Sequence, residues 1–327
     1  MSETSSPRRR FPAAAIAAAV MLAGAASLAD AAASDWRAAD TGETARFEPR
    51  TAQLRAQVLL DRAAFSPGEI DALEGSNVAR ALRAFQTSRA LAVTGKLDDE
   101  TWAALDADTA PVLRDYVITA DDVAGPFVAL PDDMMEKAKL ERLGYASPLE
   151  ALAEKFHASP ALLESLNPGR DFSRAGESIV VPAIGDAPLA TPARVVVDRS
   201  ESTVALLDDA GAVYAMFPAT TGSEHDPLPL GEWTIRGIAQ EPKFHYNPEL
   251  FWDANESHAK ATVAPGPNNP VGVAWIDLSK EHYGIHGTPE PAKLAKSESH
   301  GCIRVANWSV AALAEAVKPG IVAELRE

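Results

Sequence analysis

The chain has 327 residues, 46% of them apolar, with 24 prolines and 20 glycines. That is a globular but heavily punctuated composition, long enough for two or three domains. Its formal net charge is -16; the first 31 residues carry Arg8, Arg9 and Arg10 against Glu3 and Asp30, which is +1 and leaves -17 for the rest. So acidic a chain repels nucleic acid and anionic lipid, and both are excluded as partners. With a single cysteine, no disulfide can form within the chain.

Residues 1–33 read as a secretory signal peptide. Arg8 to Arg10 form a basic start, Phe11 to Ala25 is apolar, and Ala29-Asp30-Ala31 offers small residues where a signal peptidase cuts. No further apolar run of membrane-spanning length follows, so no transmembrane segment is expected in the mature chain. Residues 34–50 are polar and mixed and read as a linker. Over 51–106 the apolar residues recur at helical spacing: Leu54 and Val58, then Val78, Leu82 and Phe85, then Trp102 and Leu105. Ser76 or Asn77 is placed to cap the second helix and Asp98 the third. This three-helix unit, with Ala81-Leu82-Arg83-Ala84-Phe85-Gln86 and Thr94-Gly95-Lys96-Leu97-Asp98, resembles the small peptidoglycan-binding domain attached to wall enzymes. Leu73-Glu74-Gly75-Ser76-Asn77 departs from the glycine-aromatic-glycine run more usual there.

A second unit spans 111–184. Tyr116-Val117-Ile118 opens it as a strand, and Ser147-Pro148-Leu149-Glu150 is a capping box with Pro at the first helical position. Ser159-Pro160 starts another helix that ends at Asn167-Pro168-Gly169, and Ile179 to Pro182 is a closing strand. The order strand, helix, helix, strand resembles a LysM module carrying an insert from Asp122 to Gly144. Glycan binding and a role as a spacer are both open for it.

From 192 to 327 the period becomes two. Arg194–Asp198, Thr203–Leu207, Val213–Phe217, Glu232–Ile235, Val271–Ile276 and Tyr283–Ile285 read as strands, which predicts a mainly β domain, an antiparallel sandwich or barrel. One helix follows, with Asn307 as its cap and Val310, Leu313, Ala314 and Val317 on its buried face; Ile321 to Leu325 returns to the sheet.

The lone cysteine lies in this last region, in Ser299-His300-Gly301-Cys302-Ile303-Arg304, and His286-Gly287-Thr288 stands upstream with thirteen residues from His286 to Ser299. A thiol beside an imidazole makes a nucleophile for acyl transfer. Two other readings of the residues stand beside it: a small buried hydrophobe, and a zinc site built from His282, His286, His300 and Cys302. The paired motif closely resembles the signature of the YkuD-type, or ErfK/YbiS, L,D-transpeptidases. The resemblance extends upstream through Asn247-Pro248-Glu249-Leu250-Phe251-Trp252-Asp253-Ala254 to about Arg194.

That resemblance implies a wall enzyme of the periplasm with no cofactor and no metal. It implies a donor tetrapeptide stem acylating Cys302, and a second stem's amine taking the acyl group to give a 3-3 cross-link. The same thioester would serve a carboxypeptidase or endopeptidase, or a transferase whose acceptor is an outer-membrane lipoprotein. A non-catalytic wall-binding protein is the alternative of another class. The expected catalytic set is Cys302, His286 as base and Gly287, whose carbonyl could orient the imidazole. His300, Gly301, Ser299 and Arg304 are expected to support the oxyanion or the substrate. Gly287 and Gly301 are read as leaving room for a substrate carbonyl. His245, Tyr246 and Trp252 are candidates for a substrate groove.

Overall fold

The computed structural model describes residues 35–46, 48–185 and 187–327. The predicted signal peptide lies outside the described residues. In the N-terminal part, a short helix α1 (Gly42–Ala45) precedes α2 (Pro49–Arg62), α3 (Ser76–Ser88) and α4 (Asp99–Leu105). Next come β1 (Leu113–Val117), α5 (Met134–Lys137), α6 (Pro148–Lys155), α7 (Pro160–Leu166) and β2 (Ser178–Pro182). The caps at Asp98, Ser147 and Ser159 form as the sequence predicts, each side chain accepting a backbone N–H three residues on. The cap expected for α3 does not. Gly75 holds that position without a side-chain bond, and the Asn77 side chain is engaged elsewhere, its Oδ1 accepting from Arg80 at 2.9 Å and its Nδ2 donating to the Leu294 carbonyl at 3.1 Å.

Two expectations about this half need correction. The predicted linker, 34–50, is folded over its described residues, 35–46 and 48–50. Trp36 donates its indole N–H to Ser165 O at 3.2 Å, Arg37 donates to Leu113 O at 2.9 Å, and Asp40 accepts the Leu113 amide at 2.9 Å. Ala39 and Ala45 are fully buried, and so few apolar residues give no period to read. Nor are the two predicted modules separate. One apolar cluster runs from Trp36 through Leu54, Phe85 and Trp102 to Phe156, Leu163 and Val181, and it includes Met216 from the catalytic half.

The catalytic half is built on nine strands: β3 (Arg194–Asp198), β4 (Thr203–Leu207), β5 (Val213–Pro218), β6 (Thr220–Thr221), β7 (Gly231–Gln240), β10 (Ala274–Leu278), β11 (Gly284–His286), β12 (Ile303–Arg304) and β13 (Val322–Arg326). A separate hairpin of β8 (Phe244–Tyr246) and β9 (Ala261–Val263) lies between β7 and β10 in the chain. The sheet order is β5-β4-β3-β13-β7-β10-β11-β12-β6. Its two outermost strands are consecutive in sequence, joined through Ala219, so the sheet is bent round into a nearly closed barrel. It is not purely antiparallel: β13 runs parallel to β3, and β11 parallel to β12. Helix α8 (Asn307–Ala316) packs on β10 and β11, and its Val310 and Leu313 enter the barrel's own core. Asn307 is the first residue of that helix, not its cap, and makes no capping bond.

The halves are joined by backbone as well as side chains. Ser66 N donates to Met216 O at 2.8 Å and Met216 N to Ala64 O at 2.9 Å, while Leu143 N donates to Pro265 O at 2.9 Å.

Candidate active site

The parallel pairing of β11 with β12 sets the site. Ile285 lies opposite Ile303 and His286 opposite Arg304, so Cys302, one residue before β12, comes to the mouth of the strand that carries His286. Both line one open cavity of about 1320 Å³, together with His300 and Arg304.

His286 is 3% exposed. Its Nδ1 lies 2.7 Å from the Gly287 carbonyl, an oxygen that can only accept, so Nδ1 carries the proton and Nε2 is left as the basic nitrogen. The ring stacks on Trp275, its cross-strand partner, with centroids 5.4 Å apart and planes at 14°. Burial, and after it the charge of Arg304, lowers the His286 pKa to about 3, with the Gly287 carbonyl acting the other way. Burial likewise pushes the Cys302 thiol up, opposed by a hydrogen bond from the Gly284 amide and by Arg304. Both shifts favour the uncharged forms, a thiol and a neutral imidazole, over an ion pair. The Cys302 side chain is only partly covered, and its S–H points to the His282 carbonyl at 3.5 Å.

Arg304 lowers its own pKa by being desolvated among the cavity walls. It donates to Glu298 O at 3.4 Å. Among the described residues no carboxylate forms an ion pair with it, which leaves a cation facing the cavity.

Ser299 is 2% exposed and acts as a clamp: Gly222 N donates to its Oγ at 2.7 Å, and its O–H donates to Cys302 O at 2.7 Å. The two glycines also serve packing. Gly301 has φ +93, and a Cβ there would lie 2.8 Å from the Tyr283 ring. A Cβ on Gly287 would lie 2.2 Å from Asn307 Oδ1. His300 is held from outside the sheet, with Nε2 2.8 Å from Asp253 Oδ1 and Phe251 edge-on at 4.8 Å. Its Nδ1 is buried with no hydrogen-bond partner among the described residues.

The predicted groove is brought together in part. His245 and Tyr246 line the cavity, with Tyr246 O–H and His258 Nδ1 3.0 Å apart and His258 Nε2 2.9 Å from Asp133. Trp252 does not line it; the ring is 57% exposed and stacks on His225 at 4.5 Å. Sequence reasoning missed Trp275, Tyr283 and Asp253. Only Trp275 left a signal, as an apolar position on a strand adjacent to the one bearing His286. Among the described residues no group of three or more His, Cys, Asp or Glu is arranged to hold a metal ion. Two of the four candidate zinc ligands have other partners, His286 Nδ1 the Gly287 carbonyl and His300 Nε2 the Asp253 carboxylate.

Comparison with known proteins decides the family. The L,D-transpeptidase catalytic domain, YkuD, matches residues 192–323, and a peptidoglycan binding domain matches residues 54–105. A protein described as the L,D-transpeptidase YkuD of Bacillus licheniformis is 32% identical over 174 residues, covering 53% of this chain and 89% of that protein. Its Bacillus subtilis counterpart is 32% identical over 173 residues with the same coverage. The chain belongs to the YkuD family of L,D-transpeptidases. It is thus a cysteine-dependent enzyme by family, and Cys302 is the one cysteine its sequence contains. The Escherichia coli protein described as L,D-transpeptidase YbiS is more distant, 24% identical over 183 residues, 54% of this transpeptidase and 59% of its relative. Among the described residues of this transpeptidase no helix is long and apolar enough to cross a membrane.

Proposed function

We propose that the chain is a peptidoglycan L,D-transpeptidase that makes 3-3 cross-links through a thioester on Cys302. The observation that carries the reading is a partly exposed thiol sharing a cavity with an imidazole whose Nδ1 is tied to the Gly287 carbonyl, which leaves Nε2 as its basic nitrogen. His286 Nε2 takes the thiol proton as sulfur attacks the carbonyl of the third stem residue of a donor tetrapeptide. The amide bond breaks, the departing D-Ala amine receives that proton from the imidazolium, and the thioester remains. A side-chain amine of a second stem then attacks, His286 removes its proton, and the thiol is restored. The Gly301 and Cys302 amides supply the oxyanion donors, and Arg304 receives a stem-peptide carboxylate.

In this reading the N-terminal half grips the wall through the peptidoglycan-binding unit at 54–105 and a LysM-like unit at 111–184, and the enzyme works in the periplasm on stem peptides. Its acceptor is a second stem in preference to an outer-membrane lipoprotein.

Mass spectrometry of purified protein with a donor tetrapeptide tests this. Wild type is expected to gain the acyl mass on Cys302 and, given an amine-bearing second stem, to yield a 3-3 dimer. Cys302→Ala is expected to lose both products completely while melting close to wild type. Dimer formation by Cys302→Ala would reject the mechanism, and release of D-Ala with no dimer would assign hydrolysis in place of transfer.

A further inference from the structure

Glu154 is a carboxylate that the acyl transfer leaves unused. It belongs to α6 in the N-terminal half, yet its side chain reaches the catalytic barrel. Tyr145 O–H donates to its Oε1 at 2.8 Å, and Asn307 Nδ2 donates to Oε2 at 3.0 Å and Oε1 at 3.3 Å. Burial pushes the Glu154 pKa up, against those two hydrogen bonds.

Asn307 is 1% exposed and fully engaged. Its Nδ2 also donates to Pro267 O at 2.9 Å, and its Oδ1 accepts the Val273 N–H at 3.3 Å. Two acceptors on one side and a donor on the other define which end of the amide is oxygen. That oxygen is pressed on two glycines: a Cβ added at Gly272 or Gly287 would lie 2.1 Å or 2.2 Å from it. Gly287 is the residue whose carbonyl takes the Nδ1 proton of His286. A continuous path of contacts therefore leads from a helix of the N-terminal half to the imidazole.

We propose that Glu154 is a positioning residue for His286: by holding the Asn307 amide it fixes the Gly287 backbone, and with it the tautomer and aim of the ring. The inference rests on His286 being the base. Without the Glu154 carboxylate, one Asn307 N–H loses its partner and the amide is free to turn about its last side-chain bond. Oδ1 then no longer bears on Gly287, and the carbonyl that orients His286 loosens. A base displaced by a fraction of an ångström forfeits part of its contribution. The half that carries the wall-binding unit is by this account also part of the catalytic support.

The test uses the full chain and acylation of Cys302 by a carbapenem, followed by mass spectrometry across carbapenem concentrations, with thermal melting alongside. Glu154→Ala is expected to lower the maximal acylation rate about tenfold with the half-saturating concentration unchanged, a part of the hundredfold or more that a base supplies. Glu154→Gln keeps an acceptor for Asn307 and is expected to restore most of the rate. Tyr145→Phe removes the other donor, and is expected to lower the melting temperature without slowing acylation. Should Glu154→Ala and Tyr145→Phe lose rate in step with stability, the role is merely structural and the proposal falls. It also falls if Glu154→Ala acylates at the wild-type rate while His286→Ala is slow. A fast His286→Ala would instead overturn the assignment of the base itself, and the positioning role with it.

Discussion

Two histidines precede Cys302 in the sequence, and their surroundings differ in kind. His286 sits in the sheet: its ring stacks on Trp275 of the neighbouring strand, its Nδ1 is tied to backbone, and it is 3% exposed. His300 sits in a wing of loops, held by the half-exposed carboxylate of Asp253 and by the rings of Phe251 and Trp252. The first is set by main-chain geometry that few substitutions can move. The second depends on side chains of the 247–258 loop and moves when that loop moves. Proton transfer demands the first arrangement, because a base needs a fixed distance and one defined tautomer; contact with a variable substrate suits the second.

The largest effect that would break this comparison is on His286. His286→Ala is expected to cut acylation of Cys302 by about a hundredfold or more, the usual contribution of a positioned base, with little change in half-saturation. Equal losses from His286→Ala and His300→Ala, measured as single-turnover acylation, would show that the contrast in their surroundings has no counterpart in chemistry.

Much of this contrast could be read from the chain before any fold was known. The resemblance of the paired His286 and Cys302 motif to the L,D-transpeptidase signature pointed to acyl chemistry, the apolar run before His286 placed it on a strand, and Ser147 and Ser159 marked their helices. What could not be read has a common cause. Trp275 meets His286 only through strand pairing, Asp253 meets His300 only because a loop folds back, and the Asn307 side chain is held away from the helix it opens, its Nδ2 donating to Glu154 and Pro267 and its Oδ1 accepting the Val273 N–H. Period and propensity report what one segment does alone; these three depend on partners up to 153 residues away. The same holds for residues 36–45, whose few apolar side chains acquire meaning only against Ser165 and Leu113, and for the merging of two predicted modules into one core. The parallel pairing of β11 with β12, which helps set Cys302 and His286 in one cavity, likewise has no local signature.

A smaller effect sharpens the comparison from the other side. Asp253→Asn keeps a group that can accept from His300 but removes the charge, and His300→Ala removes the ring. Both are expected to raise the half-saturating concentration of a donor tetrapeptide several-fold and to reduce single-turnover acylation less than tenfold, because His300 lies in the wall of the cavity away from the proton transfer. A loss of about a hundredfold in the acylation rate of either variant would place His300 in the chemistry.

The smallest effect concerns pH, and it separates a neutral pair from an ion pair. In an ion pair the imidazole would be protonated and the thiolate formed well below neutrality, giving alkylation by iodoacetamide a reactive plateau on the acid side. Here the burial that lowers His286 to about 3 also raises the Cys302 thiol, so the two groups titrate in the opposite order. The alkylation rate is expected to climb with pH through the thiol's own ionisation, with no acid plateau. Arg304 is one of the groups that pull the thiol down, so Arg304→Gln is expected to move the profile to higher pH. The stability of the fold reports the same histidine independently. Its folded-state pKa is depressed, so its contribution is fully present above the unfolded value of about 6.5 and is lost as pH falls toward about 3, with a slope of up to about 1.4 kcal/mol per pH unit. Denaturant titrations of wild type and His286→Gln across that window should converge as the pH drops. An acid plateau in alkylation, together with parallel stability curves for the two proteins, would mean that His286 is charged at rest and that Cys302 is already a thiolate.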